Sequence, residues 1–413
     1  MVMDGILADR EIRSNQIKNL SKISDVACIK ANVPGNVKNT PCSKVLVSYF
    51  TALLKNQGLT LEKTLSGLDG DCSIFLIKNG KTLKNKFVTL EEKHPLGRFI
   101  DIDVTLKNSS ASLLRKKLRK CYICNNPAFY CGKIKAHTLF ELLTHMESKT
   151  EEYLTSILSK TVEESMLKEL NQNYKFGLVC KNTNGSHLDL NYKVMKRAVK
   201  AIKTPLAQCF FIGLNSNSCD NMLKLLRPIG LYCEEIMYGA TGGANAYKGF
   251  IFIGGAILAS VGYLINNSLP LSRLNDVVKS VCYGIDDDNN NQTFGYKAYH
   301  EKGFGGIRKL CLSDFQLVVN FSKKIDKQPL LKTLTEIVGA IDDSVLLKRS
   351  LTFQRYLYFK NLISNVDTTN KKQLKKINQQ CLKNNVSIGG SADVLISSIL
   401  LNKLVKLFNL GDL

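Results

Sequence analysis

Two aspartates stand two residues apart in the stretch "GRFIDIDVTL", residues 97–106. Carboxylates at that spacing suit metal-assisted chemistry if the segment is a strand. Side chains alternate along a strand, so Phe99, Asp101 and Asp103 share one face, and Ile100, Ile102 and Val104 the other. Neighbours on one face lie about 7 Å apart, close enough to share one or two divalent cations. Without a cation the charges repel and one pKa rises; Mg2+ would remove that cost. A half-exposed strand with two acids on its wet face gives the same alternation, so spacing alone leaves both readings open.

A second set of reactive side chains lies just beyond, in "LRKKLRKCYICNNPAFYCGKIKAH", residues 114–137. Cys121 and Cys124 form a C-x-x-C, and Cys131 and His137 follow. Four such ligands could hold zinc tetrahedrally. Their spacing is not that of a standard finger, and on a helix Cys124 and Cys131 would be small core residues. The preceding run Arg115, Lys116, Lys117, Arg119 and Lys120 is either a solvated face or, beside paired carboxylates, a grip for substrate phosphates.

These residues need a scaffold, and 413 residues allow two or three domains. Helical spacing is expected over 1–26 and again from "SKVLVSYFTALLKNQG", with the turn-rich loop "ANVPGNVKNTP" between them. "DCSIFLIKNGKTLKNKFVTLE" reads as a hairpin turning at Asn79-Gly80. The dicarboxylate strand follows, and from Leu113 the pattern turns helical. This mixture predicts a compact α/β (α+β) domain over residues 1–148. Beyond that, strand signals become scarce. Helices are expected at 149–171, 191–203, 217–238, 246–265, 271–284, 313–322, 329–340, 345–365, 370–384 and 391–408, giving an all-α domain over 149–413. "DDDNNNQ", residues 286–292, reads as a surface loop.

Fifty-seven basic and thirty-five acidic residues leave a net charge of +22, a field suited to phosphates or an acidic partner. The lysines are dispersed, which argues against a nucleic-acid arm. Thirteen scattered cysteines and an N-terminus without an apolar leader core suggest reduced thiols in the cytoplasm. The segment 249–265 carries no charge over seventeen residues but holds four glycines. It falls short of the roughly 20 residues that span a bilayer, so a buried helix is expected and no membrane partner.

Taken in order, "REIRSNQI", "NVPGNVKN", "GRFIDIDV" and "RKCYICNNPAFYCGKIKAH" resemble the citrate lyase phosphoribosyl-dephospho-CoA transferase family, over about residues 8–146. The second part is similar to the triphosphoribosyl-dephospho-CoA synthase family. The matching motifs are "KFGLVCKNTNGSHLDLNY", "LLRPIGLYCEEIMYGATGGANAYKGFIF", "KGFGGIRKLCLSDF", "IDDSVLLKRS" and "NNVSIGGSADVLISSILL". Some bacteria carry the two as one fused chain in this order.

The resemblance implies a bifunctional transferase with a nucleotidyltransferase-like N-terminal domain. Its C-terminal domain would join ATP to dephospho-CoA and release adenine. Its N-terminal domain would attach the product to a serine of the apo-citrate lyase acyl carrier subunit and release pyrophosphate. In the first domain Asp101 and Asp103 would hold Mg2+, Arg98 would pair with triphosphate oxygens, and Gly97 would let the backbone approach them. In the second, His187, Asp189 and Glu234 are catalytic candidates. Thr241, Gly242, Gly243, Asn245 and Lys248 would cradle phosphate at a helix N-terminus, although GATGG also reads as an ordinary helix–helix loop. Ser387, Gly389, Gly390 and Ser391 suit an anion before another helix. Arg308, Arg349 and Asp393 are further binding candidates, and Asp342 a further metal candidate.

The chain departs from the family at six positions. Cys180, Ala246, Tyr247, Leu310, Ser344 and Ile388 stand where the family has Asp, Thr, His, Glu, Asn and Pro. An altered or inactive second domain is one alternative these departures raise. Independently of these positions, the related malonate decarboxylase system uses the same cofactor chemistry and is a second alternative; the Cys/His segment after the D-x-D strand favours the citrate lyase version. A basic, zinc-containing RNA-binding module would leave the C-terminal motifs unexplained.

Overall fold

The computed structural model describes residues 2–115, 118–285 and 294–411. Lys116, Lys117 and the expected loop 286–292 lie outside the described residues. The chain divides into two compact units. One comprises residues 1–155 with 265–269 and 406–410; the other holds the rest of the described residues.

The first unit is built on a four-stranded sheet of order β2-β3-β1-β4, formed by β1 (Asp25–Ala31), β2 (Thr60–Leu65), β3 (Cys72–Ile77) and β4 (Ile100–Thr105). Every pairing is antiparallel. The helices are α1 (Val2–Ser21), α2 (Pro41–Asn56), α3 (Gly80–Lys93), α4 (Ala128–Ile134) and, as far as residue 155, α5 (Leu139–Leu170). One face of the sheet carries Ala27, Ile29, Phe75, Ile100, Ile102 and Val104, all buried, and α2 and α3 pack on this side. The other carries Val26, Cys28, Cys72 and Ile74, packed against Ile17 and Leu20 of α1. Asp101 and Asp103 continue that second face at the sheet's edge. The alternation in "FIDIDV" thus sets the register. A slip by one residue would bury both acids and expose Ile100 and Ile102.

Two expectations are corrected here. Asn79-Gly80 does not turn a hairpin: it starts α3, with Asn79 left-handed at φ 58° and Gly80 N–H donating to Asp25 Oδ2 at 2.8 Å. Lys84, Phe87 and Glu91 are the buried residues that follow, at helical rather than strand spacing. Among the described residues the segment from Leu113 is not helical before Ala128. Its backbone instead runs beside β4 and then turns to bring the cysteines together.

Gly97 approaches protein rather than open space. A Cβ there would stand 2.5 Å from the Leu90 carbonyl oxygen and 2.7 Å from that of Glu91. Gly97→Ala is therefore expected to lower stability by about 1–3 kcal/mol through overpacking. A urea unfolding midpoint unchanged from wild type would contradict this.

The second unit is helical among the described residues. The ranges Tyr192–Ala207, Met222–Thr241, Lys248–Asn266, Leu330–Ala340, Lys371–Lys383 and Gly389–Phe408 lie close to the expected helices. The expected 345–365 helix is two, Ser344–Ser350 and Phe353–Ser364, broken at Leu351 with φ 64°. Among the described residues Lys248–Asn266 is the one helix long and apolar enough to cross a membrane, and 83% of its apolar window is buried inside the protein. Its glycines are packing points: a Cβ at Gly262 would run into the Phe210 carbonyl of a neighbouring helix.

Candidate functional sites

In the first unit β4 is an edge strand, and α3 closes its open edge. Glu91 Oε1 accepts from the Ile102 N–H and Lys84 Nζ donates to the Ile102 carbonyl, each at 2.8 Å. Glu91 is buried and also gathers two arginines: Arg115 at 2.7 Å and Arg119 at 3.2 Å from its Oε2. Burial pushes the Glu91 pKa up, against the pull of Arg119 and the Ile102 N–H. Arg119 reaches on to pair with Asp101 Oδ1. Lys84 Nζ stands 3.9 Å from Asp103 Oδ1.

The two acids of the strand share one half-exposed face. Burial and then repulsion by Asp101 raise the Asp103 pKa, and Lys84, Arg119 and Lys30 only partly offset them. Two carboxylates on one strand face, both partly exposed, offer the oxygen ligands a hard cation takes. Arg98 lies at the same site. Its Nε and Nη2 are buried without a hydrogen-bond partner among the described residues, and its guanidinium lies 5.7 Å from the centre of the Tyr122 ring.

Sequence reasoning missed a second cationic cluster beside it. The Asp69 side chain is fully buried and accepts from Arg13 at 2.6 Å, Arg10 at 3.0 Å and Lys30 at 3.3 Å. Lys30 is the strand partner of Asp101. Burial alone would raise the Asp69 pKa, but Arg13, Lys30 and Arg10 hold it below its ordinary value. The partners lie 39 to 59 residues away, so no local motif marks the cluster.

The Cys121, Cys124, Cys131 and His137 ligand atoms lie within 4.8 Å of one another. Cys124 Sγ is 3.4 Å from both Cys131 Sγ and His137 Nε2. Bonds of about 2.3 Å to a tetrahedral zinc set sulfur–sulfur edges of roughly 3.8 Å, so this donor set can close around one ion with small shifts.

In the second unit a cavity of 1270 Å³ gathers most of the candidates. His187, Asp189, Glu234, Asn245, Lys248, Arg308, Arg349, Ser387, Gly389, Gly390 and Asp393 all line it. Glu234 pairs with Lys248 at 2.7 Å. Arg349 donates to His187 Nδ1 at 3.1 Å, which leaves Nε2–H facing Ser387 Oγ at 3.3 Å. Burial, and then the Arg349 charge, lower the His187 pKa from 6.5 to about 4, so the ring is neutral at pH 7. The unfolded chain takes up that proton first. The stability tied to neutral His187 is complete above about pH 6.5 and is lost as pH falls towards 4. Unfolding midpoints should drop over this window in the wild type, and His187→Gln should flatten the slope. An unchanged slope would contradict the assignment.

Other residues sit elsewhere. Thr241, Gly242 and Gly243 do not line the cavity. Thr241 Oγ1 donates to the Ala244 carbonyl at 2.6 Å, and Gly242 and Gly243 take φ 70° and 91° to end the helix Met222–Thr241. In GATGG, Gly239–Thr241 form the last turn of that helix, and Gly242 and Gly243 follow it. Asp342 also lies off the lining, 3.8 Å from Lys360 Nζ. Ser391 is bound to Asp343, a residue the sequence did not single out. Buried Asp343 accepts from the N–H groups of Val345 (2.9 Å), Leu346 (3.0 Å), Gly390 (3.2 Å) and Ser391 (2.7 Å), and from Ser391 Oγ (2.8 Å). It joins the N-termini of two cavity-lining helices. Lys175 and Glu169 were missed too. They form a buried pair at 2.6 Å that lines the cavity.

Asp393 lines the cavity too, and burial, then the charges of Asp343 and Glu169, push its pKa well up. Tyr247 lines the same cavity, its buried hydroxyl without a hydrogen-bond partner among the described residues. Of the six departures, Ala246, Tyr247 and Ser344 line the cavity; Cys180, Leu310 and Ile388 are buried away from it.

Residues 1–153 match the family described as apo-citrate lyase phosphoribosyl-dephospho-CoA transferase, and residues 155–412 that described as ATP:dephospho-CoA triphosphoribosyl transferase. Protein CitXG of Leuconostoc mesenteroides subsp. cremoris is 28% identical over 97% of this chain and 96% of its own. Protein CitXG of Haemophilus influenzae is 26% identical over 90% and 89%. The 2-(5''-triphosphoribosyl)-3'-dephosphocoenzyme-A synthase of Haemophilus ducreyi is 24% identical over 67% of this chain and 98% of its own. The chain therefore belongs to the fused CitX–CitG transferases, bifunctional enzymes of citrate lyase prosthetic-group synthesis from ATP and dephospho-CoA.

Proposed function

We propose that the first domain, up to about residue 148, carries the transfer step at Asp101 and Asp103. A carrier serine hydroxyl attacks the α-phosphate of the triphosphoribosyl donor. A phosphate ester bond forms, the bond to the β-phosphate breaks, pyrophosphate leaves, and the serine proton passes to solvent. Mg2+ held by Asp101 and Asp103 would stabilise charge on the attacking and leaving oxygens. Arg98, whose buried Nε and Nη2 lack hydrogen-bond partners among the described residues, is the group to receive phosphate oxygens. Arg119 and Lys84 would shift from carboxylates to phosphates as donor and cation enter. The partner is the acidic apo-carrier subunit, and the chain's net +22 supports that pairing. The observation that carries the reading is two half-exposed acids on one strand face within an arc of cationic groups. Pyrophosphate release from preformed donor should require both apo-carrier and Mg2+. Release without carrier would overturn the reading.

In the second domain we place ATP and dephospho-CoA in the 1270 Å³ cavity. Arg308, Arg349 and Lys248 line it and would bind the triphosphate. The ribose hydroxyl of dephospho-CoA replaces adenine at C1′ of the ATP ribose. The new C–O bond forms as the C–N bond breaks, the hydroxyl proton passes to a carboxylate, and adenine takes a proton from water as it leaves, the carboxylate returning its own to solvent. Glu234 or Asp189 is the candidate base. His187 is better suited to orientation, since Arg349 occupies its free lone pair. We read the Cys121–His137 cluster as a zinc site and the thirteen free thiols as support for a reducing, cytoplasmic setting.

A further inference from the structure

Residues 106–127 contain no helix and no named strand among the described residues. Within this segment Leu114 and Leu118 are exposed, at 91% and 69%, so little apolar packing holds it. A long irregular loop is costly to order and needs a tie. The tie lies at its end. Ala128 N–H donates to the Arg119 carbonyl at 2.7 Å and Cys121 N–H to the Asn126 carbonyl at 2.8 Å, folding the chain back on itself around the cysteine cluster. The neighbours of Cys121 serve the other site. Arg119 pairs with Asp101 and Glu91. The Tyr122 hydroxyl donates to the Asn32 carbonyl, and its ring meets Phe99 edge-on at 5.2 Å. Cluster and dicarboxylate site thus share one short stretch of backbone.

We propose that the Cys121, Cys124, Cys131 and His137 knot, holding one zinc ion, positions Arg119 and Tyr122 over the Asp101–Asp103 site. The transferase half then depends on a structural metal that the synthase half does not need. This rests on the zinc reading above. Arg119 and Tyr122 are positioning residues here: one sets the charge beside Asp101, the other packs against Phe99 and Arg98. Losing the ion frees the loop end without touching β4.

The test uses the full chain. Elemental analysis of the purified protein should give one zinc per chain, lost in Cys124→Ser. Chelation should cut carrier labelling at least about tenfold and raise KM for the preformed donor, while adenine release from ATP and dephospho-CoA stays at its wild-type rate. Added Zn2+ should restore labelling; Mg2+ alone should not. Amide hydrogen exchange should accelerate over 119–131 while β1 and β4 stay protected. Tyr122→Phe, with the cluster intact, should keep its zinc yet lose labelling several-fold. Absence of zinc overturns both the zinc reading and the inference. Zinc present, with labelling and exchange unmoved by chelation, overturns the inference alone. Exchange opening across β1 and β4 as well would make the ion a folding element and also overturn it. If Cys124→Ser fails to fold, chelation and readdition on the wild type decide.

Discussion

Asp103→Asn is expected to lower carrier labelling about a thousandfold or more while adenine release continues at the wild-type rate. The substitution keeps shape and removes one charge. A cation held by two carboxylates contributes several kcal/mol to the transition state, and each 1.36 kcal/mol is tenfold in rate. Stability should move the other way. The folded-state pKa of Asp103 is raised by burial and by Asp101, so its ionised form costs folding free energy above its unfolded pKa of 3.8. At pH 7 Asp103→Asn should therefore melt no lower than wild type. Asp101→Asn should lose labelling equally. Its lost pair with Arg119 should cost up to about 1 kcal/mol, because both side chains are partly exposed. Intact-mass analysis of the carrier, adenine chromatography and thermal melts check the three arms. Labelling within tenfold of wild type would remove Asp103 from the site.

The second large effect is in the other half. Asp343→Ala should destabilise the second domain by about 3–5 kcal/mol, the range for stripping partners from a buried charged network. Four backbone N–H groups and the Ser391 hydroxyl would lose their acceptor together. These donors open the helices Ser344–Ser350 and Gly389–Phe408, which carry Arg349 and Asp393 into the cavity. Adenine release should fall with stability, and Asp343→Asn should recover only part, since an amide nitrogen would face donors. Asp342→Asn should change the unfolding midpoint little. Urea titration of the three variants gives the order. Asp343→Ala melting with the wild type would contradict this account.

That contrast shows what was legible in the residues and what was not. "IDDSVLLKRS" offers two acids, and the family resemblance points to Asp342. The N-cap position before the helix Ser344–Ser350 is Asp343, whose carboxylate accepts from Val345 and Leu346 N–H. The dicarboxylate face was legible because strand alternation is strictly local. The Asp69 cluster was not, since its arginines come from α1 across more than fifty residues. The basic run misled because Lys, Arg and Leu favour helix. Its observed path follows contacts no local pattern encodes: Glu91 holding Arg115 and Arg119, and Cys131 and His137 closing on Cys121 and Cys124. Asn79-Gly80 misled for a related reason. The left-handed conformation that suits a hairpin turn also suits the residue before a helix, and the charged, 3.6-spaced sequence after it decides.

The most direct test is the intact mass of apo-carrier after incubation with the wild-type chain, ATP, dephospho-CoA and Mg2+. The expected result is a gain equal to one phosphoribosyl-dephospho-CoA group on a single serine, absent when Asp103→Asn replaces the wild type. An unmodified carrier in a reaction that has released adenine, or equal labelling by Asp103→Asn, would contradict it.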